Sequence, residues 1–191
     1  MPDWSSPWRE VPFAVVDVET TGLDPAVDRI VEVAVVRCDA AGAVTSEWSS
    51  LVHPDRDPGP TAVHGITADD LASAPRFSDL APRLAAELDG AVITAHNLAF
   101  DAAFLTAEWT RSGTARPRAQ GLCTLTLARD LHPGRSEGYS LAACSAAAGI
   151  HQAEAHRALA DARVTADLLA ALLDGVPAGR RPWPRRRLRL R

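Results

Sequence analysis

Apolar positions along this chain fall into two kinds of run. Short, uninterrupted, β-branched stretches at Phe13–Val18, Arg29–Cys38 and Ala91–Ala95 have the composition of buried strands. Ala43–Val52 predicts a further strand, joined to the second by the Asp39–Gly42 turn as an antiparallel hairpin, and Gly121–Cys123 a short fifth one. Longer segments carry helical spacing instead. One covers residues 79–89, with Ser78 as N-cap, Pro82 still in the first turns and Gly90 at the end. Leu98–Arg111 follows, presenting Phe100, Phe104, Leu105 and Trp109. Thr124 is expected to cap a short helix to Leu131, and Ser140 another to Ala148. The last helix spans about 158–173 through Leu159, Val164, Leu168 and Leu172. His53–Gly65, with Pro54, Pro58 and Pro60, reads as irregular. Three early strands, then strands alternating with helices, predict an α/β fold: a five-stranded mixed sheet flanked by helices. Residues 1–10 read as an arm, 11–174 as one domain and 175–191 as a tail.

Two acids interrupt the first apolar run. Asp17 and Glu19 stand at its end, in the stretch FAVVDVETTG. Residues two apart in an extended chain point to one face, with Cα atoms roughly 6.5–7 Å apart. Two carboxylates held that way on a central strand repel each other and lose solvation unless a cation lies between them. Hard ions such as Mg²⁺ or Mn²⁺ prefer oxygen ligands of this kind. The same residues also suit a frayed strand end entering the solvated Thr-Thr-Gly turn, so ligands further along the chain must decide.

Two later segments offer such ligands. In His96-Asn97-Leu98-Ala99-Phe100-Asp101 the acid lies in a helix's first turn, where it also simply complements the helix dipole. His156 and Asp161 are five residues apart, about 140° of rotation on a helix, so they share a site only if His156 lies at or before the helix start. Taken alone, His156 reads equally well as a solvated loop histidine.

Composition narrows the class. A chain of 191 residues suffices for one domain whose core needs neither disulfides nor structural metal. Cys38, Cys123 and Cys144 are odd in number, widely spaced and without a zinc pattern, as expected of reduced thiols in a cytoplasmic protein. MPDWSSPWRE has no apolar core of a signal peptide, and no run reaches membrane-spanning length, so no membrane partner is expected. All 20 basic residues are arginine, and seven fall within residues 180–191, which hold no acid. The remainder sets thirteen arginines against 24 acids, a net of about −11. So acidic a body is a poor partner for nucleic acid unless some of the acids bind cations.

FAVVDVETTG, AVHGIT (62–67), AHNLAFD (95–101), and YSLAACSAAAGI followed by HRALADA (156–162) occur in the order of one family. The chain resembles the DEDDh 3′→5′ exonucleases of the ribonuclease H-like superfamily, above all the proofreading epsilon subunit of bacterial DNA polymerase III and its stand-alone relatives. The resemblance covers about residues 11–174 and implies a ribonuclease H-like fold. It implies that Asp17, Glu19, Asp101 and Asp161 surround two divalent ions, Mg²⁺ or Mn²⁺, and that His156 is the general base. Two cations roughly 4 Å apart neutralise the attacking and leaving oxygens of a phosphodiester and acidify the attacking water. A histidine of near-neutral pKa then accepts that water's proton. The expected reaction releases nucleoside 5′-monophosphates one at a time from the 3′ end of single-stranded DNA, with RNA as the alternative substrate.

By the same resemblance, the Thr20 backbone and Leu23 contact the terminal nucleotide, His64 approaches its sugar or phosphate, and Asn97 orders the site. Glu32 matches no family acid and is expected to be structural. Cys123 stands where many relatives have aspartate. Gln120 and Gln152 are the only glutamines, and neither opens a sliding-clamp peptide, which favours a free-standing nuclease over a polymerase-bound subunit.

Overall fold

The computed structural model describes residues 10–118, 120–151, 157–177 and Pro182. Five strands form one sheet: β1 (Phe13–Thr20), β2 (Ile30–Cys38), β3 (Val44–Leu51), β4 (Val92–Ala95) and β5 (Gln120–Cys123). Their order is β3-β2-β1-β4-β5, with β1 in the centre. β1 pairs antiparallel with β2 and parallel with β4, so the sheet is mixed, as the sequence predicts. The helices are α1 (Thr61–His64), α2 (Ala68–Leu71), α3 (Phe77–Leu88), α4 (Leu98–Ser112), α5 (Thr124–Leu131), α6 (Leu141–Ala147) and α7 (Ala158–Asp174).

The period-two alternation of β1 divides the core into two layers. Phe13 and Val15 pack with Ala34, Val36 and residues of α5, α6 and α7 on one face. Ala14, Val16 and Val18 pack with Val33, Val35 and residues of α3 and α4 on the other. Alternation also decides where the acids point. Asp17 and Glu19 continue the Phe13–Val15 face, directly beneath α7.

Three local expectations are corrected. The helix expected from Ser78 begins at Phe77, because Phe77 is buried, and the Asp79 carboxylate accepts the Arg76 N–H at 3.1 Å across its start. Thr124 does not cap α5 but is its first residue; its hydroxyl is fully buried against His96 Nδ1 at 3.0 Å. Within the stretch read as irregular, Thr61–His64 makes one helical turn, closed by Gly65 at φ 73°. A second single turn, Ala68–Leu71, is fixed by reciprocal bonds between Thr67 and Asp70. Single turns are too short to leave a periodic signature.

Ser140, by contrast, caps α6 as expected, its hydroxyl accepting the Ala143 N–H at 3.2 Å. All three cysteines are free. Among the described residues no helix is long and apolar enough to cross a membrane.

Candidate metal centre

The site lies where β1 ends beneath the start of α7. Asp17, Glu19 and Asp161 each bring a carboxylate oxygen to within 4.8 Å of the other two. Asp17 and Glu19 arrive there by strand alternation. Asp161 arrives because α7 crosses their face and carries it in its first turn. Asp101 approaches from the opposite layer, in the first turn of α4, where it is buried and accepts the Val18 backbone N–H.

Electrostatics tie the four acids together. Burial is the largest influence lifting Asp17 well above the usual carboxylate range, followed by the charges of Asp101, Asp161, Glu19 and Glu32. Glu19 is raised to about 7 by burial, then by Asp161 and Glu32, with Arg157 opposing. Burial also raises Asp101 to about 8, against the hydrogen bonds from the backbone and with the charge of Glu19 adding to the rise. Carboxylates held this close without a countercharge favour their protonated forms. Three oxygens converging within one ion's reach are the donor chemistry that Mg²⁺ and Mn²⁺ take. The residues fit a divalent cation.

The remaining candidates take varied places. Thr20 is buried at the end of β1, its hydroxyl donating to Gly22 O at 2.6 Å. Leu23, three residues on, is 84% exposed, an unusual position for a leucine. Its loop lines, through Pro25 and Ala26, a groove of about 590 Å³ whose other wall is the Ala99-Ala103-Thr106 side of α4. Asn97 occupies the β4–α4 turn in left-handed geometry (φ 74°), which asparagine tolerates, and is exposed four residues before Asp101. His64 is buried on α1; Nδ1 accepts the Ile66 N–H at 3.0 Å, while Nε2 makes no hydrogen bond of good geometry and interacts only weakly with the Pro58 carbonyl. Burial lowers its pKa. His156 lies outside the described residues.

Two long-range pairings were not anticipated from sequence, although Glu32 itself was expected to be structural. Arg157 forms a bidentate pair with Glu32, at 3.2 Å from Nε and 3.1 Å from a terminal nitrogen. The Arg29 guanidinium pairs with buried Glu108 of α4, at 2.6 and 3.0 Å, and fastens that helix to the start of β2. An acid within an apolar strand was the available signal for the first. At Cys123, burial opposes ionisation, but hydrogen bonds from Thr126 and the Leu98 and Asn97 N–H groups outweigh it, so the thiol pKa falls. The cysteine thus sits in a nest of donors.

The model of the RNase T exonuclease family matches residues 14–169. The DNA polymerase III epsilon subunit of Treponema pallidum is 33% identical over 175 residues, covering 90% of this chain and 81% of its own length. A polymerase III epsilon-like protein of Rhodobacter capsulatus is 37% identical over 91% of this chain, which spans 25% of that protein. Other relatives are also far longer, the chain spanning 27% of one and 12% of two more. Among solved structures, exonuclease X in complex with 5′-overhanging duplex DNA superposes with a TM-score of 0.70 at 30% identity, over 89% of this chain and 95% of that one. The chain therefore belongs to the RNase T exonuclease family, the DEDD-type 3′→5′ exonucleases built on the ribonuclease H-like fold.

Proposed function

We propose that the chain hydrolyses DNA from its 3′ end, preferring single strands, with divalent cations held by Asp17, Glu19, Asp101 and Asp161. The observation that carries this reading is the convergence of the Asp17, Glu19 and Asp161 oxygens within 4.8 Å, at a strand end that would otherwise be apolar. Bound divalent cations supply the Lewis acidity that activates water and offsets charge on the phosphate oxygens. The chain's own residues do the rest. The four carboxylates would hold the cations. His156 takes the proton of the attacking water. Leu23, exposed in the loop whose Pro25 and Ala26 line the groove along α4, packs against the terminal base, and Asn97, exposed in the β4–α4 turn, orders the site. DNA is favoured over RNA because exonuclease X, similar over nearly its whole length, was solved with DNA.

The test is incubation of the protein with matched 3′-labelled DNA and RNA oligonucleotides in Mg²⁺, Mn²⁺ or chelator. Release of 5′-mononucleotides from DNA, abolished by chelator, is expected. Asp17→Ala and Asp161→Ala should each lower the rate at least about 10³-fold, roughly 4 kcal/mol of barrier, while leaving the fold intact. Faster cleavage of RNA would reassign the substrate, and full activity in either variant would remove the metal site.

A further inference from the structure

Glu32 is an acid inside the apolar run of β2, 4% exposed, and the direct strand partner of Glu19. Both of its oxygens are engaged. Oε2 accepts from Arg157 Nε at 3.2 Å and from the Ala158 N–H at 3.0 Å, while Oε1 accepts from the other guanidinium nitrogen at 3.1 Å. Ala158 is the first residue of α7, and Arg157, at the N-cap position, provides no side-chain cap of its own. A first-turn N–H that is buried needs an acceptor. Here the acceptor comes from another layer, 126 residues earlier in the chain. The next link is equally direct: the Arg157 carbonyl accepts the Asp161 N–H at 3.0 Å. A path of hydrogen bonds therefore runs from β2 through Arg157 to the last acid of the cluster.

We infer that Glu32, clamped by Arg157, is a positioning residue that sets Asp161 over Asp17 and Glu19 and so tunes cation affinity. The inference rests on the metal-site reading above. The clamp also explains why a carboxylate next to Glu19 is not a further ligand: its oxygens are already taken by the guanidinium and the helix end. Glu32 acts through the α7 terminus and touches no substrate.

The test uses the full chain as wild type, Glu32→Ala, Arg157→Ala, Arg157→Lys and the double alanine variant. Mn²⁺ affinity is followed by electron paramagnetic resonance, kcat and KM on a 3′-labelled oligonucleotide, and Tm by thermal unfolding. Each alanine variant should bind Mn²⁺ about 10-fold more weakly and lose about 10- to 100-fold in kcat, as outer-shell partners of metal ligands do. KM should stay within about 2-fold. The double variant should be no worse than the poorer single one, because both remove one linkage. Arg157→Lys keeps the charge but not the fork, and should recover part of the loss. Should Glu32→Ala fail to fold, Arg157→Ala decides, since its side chain is 52% exposed and its loss opens no core cavity. Wild-type Mn²⁺ affinity and kcat in folded Arg157→Ala would overturn the inference, as would fully multiplicative losses in the double variant. A wild type that binds Mn²⁺ but cleaves nothing would refute the nuclease reading alone, and the Mn²⁺ comparison would still judge the clamp.

Discussion

Glu19 and Glu32 are direct partners across the antiparallel β1–β2 ladder, two like charges where a sheet ordinarily avoids them. Their fates differ. Glu32 is neutralised by Arg157 and the start of α7, whereas Glu19 turns toward Asp17 and Asp161. The repulsion left on that side marks where the fold is under electrostatic load.

That load predicts a pH dependence. Glu19 rises from an ordinary 4.5 to about 7, and Asp101 from 3.8 to about 8. A carboxyl with a raised folded pKa holds its proton more tightly when folded. Its stabilising contribution is complete below its unfolded pKa and is lost as pH climbs through the folded value. His64 and His96, lowered by burial, act in the opposite sense but only below the free-histidine value of 6.5. In chelator, Tm should therefore fall between about pH 6.5 and 8.5, and saturating Mg²⁺ or Mn²⁺ should flatten or reverse that slope. Thermal unfolding at half-unit pH steps, with and without metal, measures both. A metal-free Tm that holds level or rises across the window would contradict the acid cluster.

Much of this site was legible because its signals are local. The alternation that places Asp17 and Glu19 on one face is a property of any strand, and β1 needed only its apolar neighbours to be recognised. Asp101 and Asp161 fall in first helical turns, as their motifs predict. What escaped depends on contacts between distant segments. Glu32 and Arg157 are 125 residues apart, and neither carries a pattern that names the other. The start of α3 shifted because burial of Phe77 outweighed the capping preference of Ser78. Thr124 was lost as a cap to His96, which β4 delivers from 28 residues away.

The Arg29–Glu108 pair belongs to the same long-range class, and here the consequence is stability. Glu108 is 1% exposed, accepts from Arg29 at 2.6 and 3.0 Å, and also faces Arg111 at 3.4 Å. Removing one member of a buried pair leaves the other uncompensated. Glu108→Ala should lower unfolding free energy by about 3 kcal/mol. Denaturant titration reads that loss directly. Because Glu108 lies two turns beyond Asp101, kcat per folded molecule should stay near wild type, and a large fall in kcat without loss of stability would place Glu108 in the machinery instead.

His156 is tested by its titration in the reaction. A general base must be neutral to accept a proton, so kcat should fall as pH drops through the histidine pKa in the substrate complex. His156→Ala should lose that acid limb and most activity while still binding Mn²⁺. A pH–rate profile beside a Mn²⁺ titration separates base from ligand. An unchanged acid limb in the variant would assign the proton to another group.

The last prediction concerns residues 180–191, RRPWPRRRLRLR, of which only Pro182 is among the described residues. Seven guanidiniums follow a body of net charge about −11, which by itself repels a phosphate backbone. Arginines gather phosphates by releasing counterions, and Trp183 offers a face for base stacking. We predict that this segment adds affinity but no chemistry, since every assigned catalytic residue precedes it. Truncation after Gly179 should raise KM for single strands and leave kcat nearly unchanged. If about three arginines meet phosphates, the slope of log K against log salt should shrink by about 2, at roughly 0.7 per contact on single strands. A labelled oligonucleotide titrated across a salt series, with Ca²⁺ replacing Mg²⁺ to limit cleavage, reads the slope. Equal slopes for full-length and truncated protein would mean that the segment does not touch the substrate.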